Sequence, residues 1–195
     1  FKARGRIKNL DLKRFEFSKN RIYMDLSSGI VMLSDLEDRT IARGKFEGID
    51  DRTFVTEGGG GKLFLVCPSI NRISLLKAVG ESKLAEQLVF EGKRVLEMTN
   101  GGIATVDPER YSLVIHDESG REISRLGNIR GEISGNIHPV DIALGREGEL
   151  FVLDDRNYVV VVYGQDGTRK REFGSYGSYP GKMKRPMGIV CDSIG

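Results

Sequence analysis

The chain has 195 residues, 39% of them hydrophobic, with 30 basic against 28 acidic side chains and a net charge of +2. So even a balance gives no general affinity for nucleic acid or an anionic lipid surface, and no apolar run approaches the roughly 18 residues that a membrane-spanning helix requires. The length allows a substantial core, and the two cysteines, Cys67 and Cys191, fit no metal or redox spacing and say nothing of the compartment.

In chain order, Arg6 to Leu12 alternates apolar and polar residues and reads as an edge or closing strand. Arg21 to Leu26, Gly29 to Ser34 and Arg39 to Arg43 are short strands of a first unit, about 14–44. A looser second unit, about 51–90, contains Phe64-Leu65-Val66 and Asn71 to Leu76, with a glycine run at Gly58 to Gly61 and a locally helix-friendly stretch at Glu81 to Leu88. The third unit, about 92–127, has strands at Val95 to Met98, Ile103 to Val106, Tyr111 to His116 and Glu122 to Leu126, turning at Ser119-Gly120. In the fourth, about 139–174, Val140 to Leu144, Glu149 to Leu153, Tyr158 to Tyr163 and Thr168 to Phe173 are strands. They are separated by Gly148, by Asp155-Arg156-Asn157 and by Asp166-Gly167, all turn chemistry. Met187 to Asp192 is expected to open a further unit, 186–195.

A frame of 47 residues carries Gly101 onto Gly148, Asp107 onto Asp154, Tyr111 onto Tyr158, Gly120 onto Gly167 and Gly127 onto Gly174 without a gap. Self-similarity at this period marks units that cannot bury their apolar faces alone. Four short strands per unit, with apolar third strands such as Val159-Val160-Val161-Val162 and a polar fourth, imply an all-β protein: a β-propeller of four-stranded antiparallel blades.

The order Pro139-Val-Asp-Ile, strand, Asp154-x-x-Asn157, apolar strand, Asp166-Gly167, Phe173-Gly174 and again Pro186-Met-Gly-Ile resembles NHL repeats, most specifically over the last 60 or so residues. Two positions depart from that pattern: Asp141 stands where the family has Gly, and Cys67 stands where Asp107 and Asp154 recur. The resemblance implies a six-bladed ring, which needs more strands than these residues supply, so the segment is expected to be one incomplete propeller domain.

In such a plan the loops joining second to third strands, and those joining one blade to the next, share one face. That would gather Asp154 to Asn157, Asp107, Glu109, Arg110, Ser27 and Ser28 with the loops 128–138 and 175–185. Asp107 and Asp154 recur in register and are expected to cap their own backbone; Tyr111 and Tyr158 are expected to pack between blades. Arg110, Arg156, Lys182, Lys184 and Arg185 occupy positions where charge is not needed to build a blade, and Tyr176 and Tyr179 sit beside them among glycines. These seven are the candidate binding residues.

Related six-bladed rings include zinc-dependent lyases and calcium-dependent lactonases. A zinc site needs several converging imidazoles, and only His116 and His138 exist here, of which His138 alone is near a channel strand. A calcium site would draw on Asp141 and Glu97, in or near first strands of different blades. The expectation is a non-enzymatic scaffold without metal or cofactor, binding another protein; RNA binding through the basic loop, or a metal-dependent lyase or lactonase, are the alternatives.

Overall fold

The computed structural model describes residues 12–58, 61–80, 82–127 and 137–192, and among them the protein is built from strands without an α-helix. No helix among the described residues is long and apolar enough to cross a membrane. The first blade comprises β1 (Leu12–Glu16), β2 (Arg21–Asp25), β3 (Ile30–Ser34) and β4 (Thr40–Lys45). The second comprises β5 (Phe54–Glu57), β6 (Leu63–Cys67), β7 (Arg72–Val79) and β8 (Lys83–Glu91). In the third are β9 (Arg94–Glu97), β10 (Ile103–Asp107), β11 (Ser112–His116) and β12 (Glu122–Gly127), and in the fourth β13 (Pro139–Leu144), β14 (Leu150–Asp154), β15 (Val159–Tyr163) and β16 (Arg169–Phe173).

Each blade is an antiparallel meander in chain order, and together they form β-propeller architecture. The first two blades are joined by one parallel bridge between their outer strands, Arg43 opposite Lys83, where the Arg43 N–H donates to the Ser82 carbonyl at 2.9 Å. Gly44 permits this approach, since a Cβ there would stand 2.2 Å from the Leu84 carbonyl oxygen.

Blade packing explains the unbroken apolar runs. Leu63, Leu65 and Cys67 of β6 face the first blade, whereas Phe64 and Val66 face the third, so every residue of the strand is buried. The third and fourth blades meet through Ala104, Val106, Leu113 and Ile115 against Ile142, Leu150, Val152 and Val161. Burying each such side chain contributes roughly 1.5–3 kcal/mol relative to exposure, so the inter-blade layers dominate stability. The outermost β16 carries Arg169-Lys170-Arg171 and is exposed throughout, a charged edge of the kind that discourages pairing with other chains.

Three stretches differ from the sequence reading. Glu81 to Leu88 is helix-friendly only locally: Lys83–Glu91 is β8, paired along the whole of β7 and burying Leu84 and Phe90, so sheet packing overrides propensity. Met187 to Asp192, expected as a strand, has no ladder partner among the described residues; its fixed point is the Ile189 N–H, which donates to Asp141 Oδ2 at 3.0 Å. Of the alternating segment Arg6 to Leu12, only Leu12 lies within the described residues, where it opens β1.

Candidate functional site

The β2–β3, β6–β7, β10–β11 and β14–β15 turns and the inter-blade connections lie at one end of the sheets, tied to each other by side-chain contacts. Arg52 donates to Ser69 Oγ at 2.8 Å, Lys93 pairs with Glu109, Arg110 pairs with Glu91, and His138 Nδ1 meets Asp155 Oδ1.

One device builds three of the four turns. Asp107 Oδ1 accepts from the Glu109 and Arg110 N–H groups at 3.0 and 3.2 Å, and Asp154 Oδ1 accepts from Arg156 and Asn157 at 3.1 and 2.9 Å. Asp25 does the same for Ser27 and Ser28, whose hydrogen bonds, that of the Ser27 hydroxyl foremost, hold its carboxyl down to about 2. Four residues after each aspartate the chain turns left-handed, at Gly29, Tyr111 and Tyr158, with φ of 69°, 53° and 59°. These carboxylates are therefore spent on backbone N–H groups. In the second blade, where Cys67 replaces the aspartate, a short 3-10 turn (Pro68–Ile70) and a left-handed Asn71 take over, and Asp50 from the preceding connection supplies a carboxylate to Ser69. The role of Asp25 escapes the repeat pattern because Gly29 stands where the third and fourth units have Tyr; its signal is an Asp four residues before that Gly.

A left-handed tyrosine is strained by about 1 kcal/mol or more and persists only where packing fixes it. The Tyr111 ring stacks on His138 at a centroid distance of 3.8 Å, and the Tyr158 ring meets Tyr176 edge-on at 4.8 Å. Each tyrosine thus packs on the connection that follows its own blade.

The candidate cations divide into two groups. Arg110 is engaged, by Glu91 and by Asp107 at 3.5 Å. Arg156, Lys182, Lys184 and Arg185 are exposed and form no ion pair among the described residues. The segment that carries the three last cations is folded on itself: Tyr176 bridges Met183, the Met183 N–H donates to the Ser175 carbonyl at 2.8 Å, and the Lys182 N–H to the Tyr179 carbonyl at 3.0 Å. It displays Tyr176 at 61% and Tyr179 at 76% exposure, and the Tyr158–Tyr176 contact sets it against the β14–β15 turn that holds Arg156. Of the loop 128–138, residues 128–136 lie outside the described residues.

The residues weighed for metal chemistry do not converge on one site among the described residues. His138 is held by Asp155 and Tyr111, while His116 is buried against the Phe90 ring at 4.7 Å with neither ring nitrogen partnered, so burial pushes its pKa below the ordinary value. Asp141 anchors Ile189 and lies 3.6 Å from Arg94; Glu97 pairs with Lys62 at 2.5 Å. No group of three or more His, Cys, Asp or Glu side chains in a metal-binding arrangement occurs among the described residues. Both cysteines are free thiols, Cys67 buried and Cys191 half-buried, and burial raises the pKa of each.

No protein-family model matches the chain, and no curated protein matches it significantly in sequence. Solved structures do match. A catalytically inactive histidine-to-alanine form of virginiamycin B lyase from Staphylococcus aureus, with quinupristin, aligns with a TM-score of 0.62 and 14% identity over 95% of this chain and 61% of that one. A streptogramin B lyase aligns with a TM-score of 0.59 and 13% identity, over 91% of this chain and 57% of that one. Kluyveromyces lactis Hsv2, with its loop 6CD replaced by a Gly-Ser linker, gives a TM-score of 0.60 at 12% identity, over 86% and 53%. The chain therefore spans between about half and three fifths of the length of these structures, and at such identities the likeness establishes the propeller fold alone.

Proposed function

We propose that this NHL-like propeller segment is a non-enzymatic scaffold that binds another protein through the surface formed by the β14–β15 turn and residues 174–186. One observation carries the reading: the other cations of the turn face discussed above are neutralised within the fold, whereas Arg156, Lys182, Lys184 and Arg185 project unpaired beside the exposed rings of Tyr176 and Tyr179. Aromatic rings with cations at their rim are the composition of a protein-recognition patch. Arg110 is already engaged, by Glu91 of the preceding blade and by Asp107. The occupied state of His138 and Asp141 favours a scaffold over the lyase activity named for the structural neighbours.

A second reading, single-stranded RNA, draws on the same residues, because bases stack on exposed tyrosines while cations follow the backbone. Affinity capture with the wild-type chain and with the quadruple Arg156, Lys182, Lys184, Arg185→Ala variant tests both. The expected result is a protein retained by the wild type, lost by the variant and indifferent to ribonuclease. Release by ribonuclease, with steep salt dependence, would transfer the assignment to RNA, and identical capture by both chains would remove the site.

A further inference from the structure

We propose that the cavity at the opposite end of the inner strands binds a primary ammonium group carried on an alkyl chain, with Glu97 as its anionic anchor. The cavity, of about 340 Å³, lies among the ends of β5, β9 and β13. Glu97 ends β9, its side chain is only 8% exposed, and its two oxygens have different fates. Oε1 takes the Lys62 ammonium at 2.5 Å; Oε2 is buried at the cavity wall with no hydrogen-bond partner. A buried carboxylate oxygen without a donor is a rare arrangement, and it points to a donor that arrives from outside the chain. Gly58 leaves room for that oxygen: a Cβ at this position would stand 2.6 Å from Oε2 and 2.9 Å from the Phe64 ring.

The rest of the cavity defines the ligand. Glu57 also lines it and forms no ion pair among the described residues, so the lining carries a second carboxylate that favours a cation. A hard metal ion fits badly, since calcium takes six or more oxygens and the lining offers two carboxylates, one of them already paired with Lys62. Phe64, Leu96, Met98 and Leu144 provide apolar walls along which an alkyl chain can lie. This end of the molecule is remote from the β14–β15 surface, and the two assignments stand or fall separately.

Calorimetric titration of the full chain with n-butylammonium chloride, with 1-butanol, and with a blocked glycine peptide bearing one lysine tests the proposal. Saturable binding of butylammonium is expected, with none for 1-butanol at the same concentration and affinity at least tenfold weaker in Glu97→Gln. Should Glu97→Gln melt early, Thr56→Leu narrows the cavity without touching either carboxylate and is expected to lose the same binding. A peptide that binds more tightly than butylammonium identifies a protein lysine as the natural group, and a weaker one identifies a free amine. Absence of saturable butylammonium binding, an equal response to 1-butanol, or unchanged affinity in both variants would overturn the proposal.

Discussion

The β10–β11 and β14–β15 turns lie 47 residues apart and share an aspartate bonded to two backbone N–H groups, followed by a left-handed tyrosine packed on the next connection. They differ in what fills the positions between. In the third blade, Asp107 Oδ2 accepts from Asn71 of the preceding blade at 2.9 Å, and Arg110 and Lys93 reach Glu91 and Glu109, so the charge is returned to the fold. In the fourth, Asp154 Oδ2 accepts from Asn157 of its own turn at 2.7 Å, which leaves the neighbouring Arg156 with no structural duty. Backbone demand fixes the aspartate and the left-handed residue; the residues between them are free to vary, and there an unpaired charge carries information about function.

The largest expected effect tests the shared part. Asp154 is fully buried and Asp107 nearly so, and each removal would leave two turn N–H groups and an asparagine amide without acceptors. Asp107→Ala and Asp154→Ala should each cost about 3 kcal/mol in urea-induced unfolding. A loss below about 1 kcal/mol at either site would mean that the turn is held by packing and that the equivalence of the two blades is only geometric.

The tyrosines separate packing from strain. Tyr111→Ala and Tyr158→Ala should cost about 1–2 kcal/mol, combining the lost ring contact with a left-handed backbone that alanine tolerates no better. Glycine adopts that backbone freely, so Tyr111→Gly and Tyr158→Gly should be less destabilising than the alanine variants. The reverse order in thermal melts would show that the left-handed geometry is imposed by the aspartate and carries no strain.

His116 adds a dependence on pH. His116 of the third blade is buried against Phe90, and burial holds its folded-state pKa below the ordinary 6.5. Below about pH 6.5 the unfolded chain therefore binds a proton that the folded chain resists, and stability falls as pH drops through this window, by at most about 1.4 kcal/mol per pH unit. Between pH 7 and pH 5.5 a loss of up to about 1 kcal/mol is expected in the wild type, and His116→Phe should abolish this component. An unchanged pH profile in that variant would assign the loss to other groups.

What the sequence discloses follows from how narrowly each position is constrained. The recurrent Asp, Tyr and Gly are legible because their conformations admit few residue types, and β10, β11, β14 and β15 are legible because strands buried on both faces become unbroken apolar runs. By contrast β1 is a charged, half-exposed LKRFE segment, β5 is only four residues, and β8 overlaps a locally helix-friendly stretch whose strand character depends on pairing with β7. The site is legible only as a set of candidates. That Arg110 is occupied depends on Glu91 of another blade, and that Glu97 has one unpartnered oxygen depends on Lys62 and Gly58, neither of which any local pattern brings near.

The smallest effect on stability bears on the part of the comparison that concerns function. Arg110 is 60% exposed at the side chain and its pair with Glu91 is solvated, so Arg110→Ala should cost about 0.5 kcal/mol, and Arg156→Ala less still. For binding the order should invert. An arginine that must leave Glu91 and Asp107 to meet a partner loses there what it gains, whereas Arg156 has no ion pair among the described residues to give up. Arg156→Ala should thus weaken partner capture several-fold while leaving the melting temperature unchanged within about 1 °C, and Arg110→Ala should lower the melting temperature slightly with little effect on capture. Equal losses of capture in the two variants would show that both turns belong to one continuous interface and that internal pairing does not distinguish structural from functional charge on this face.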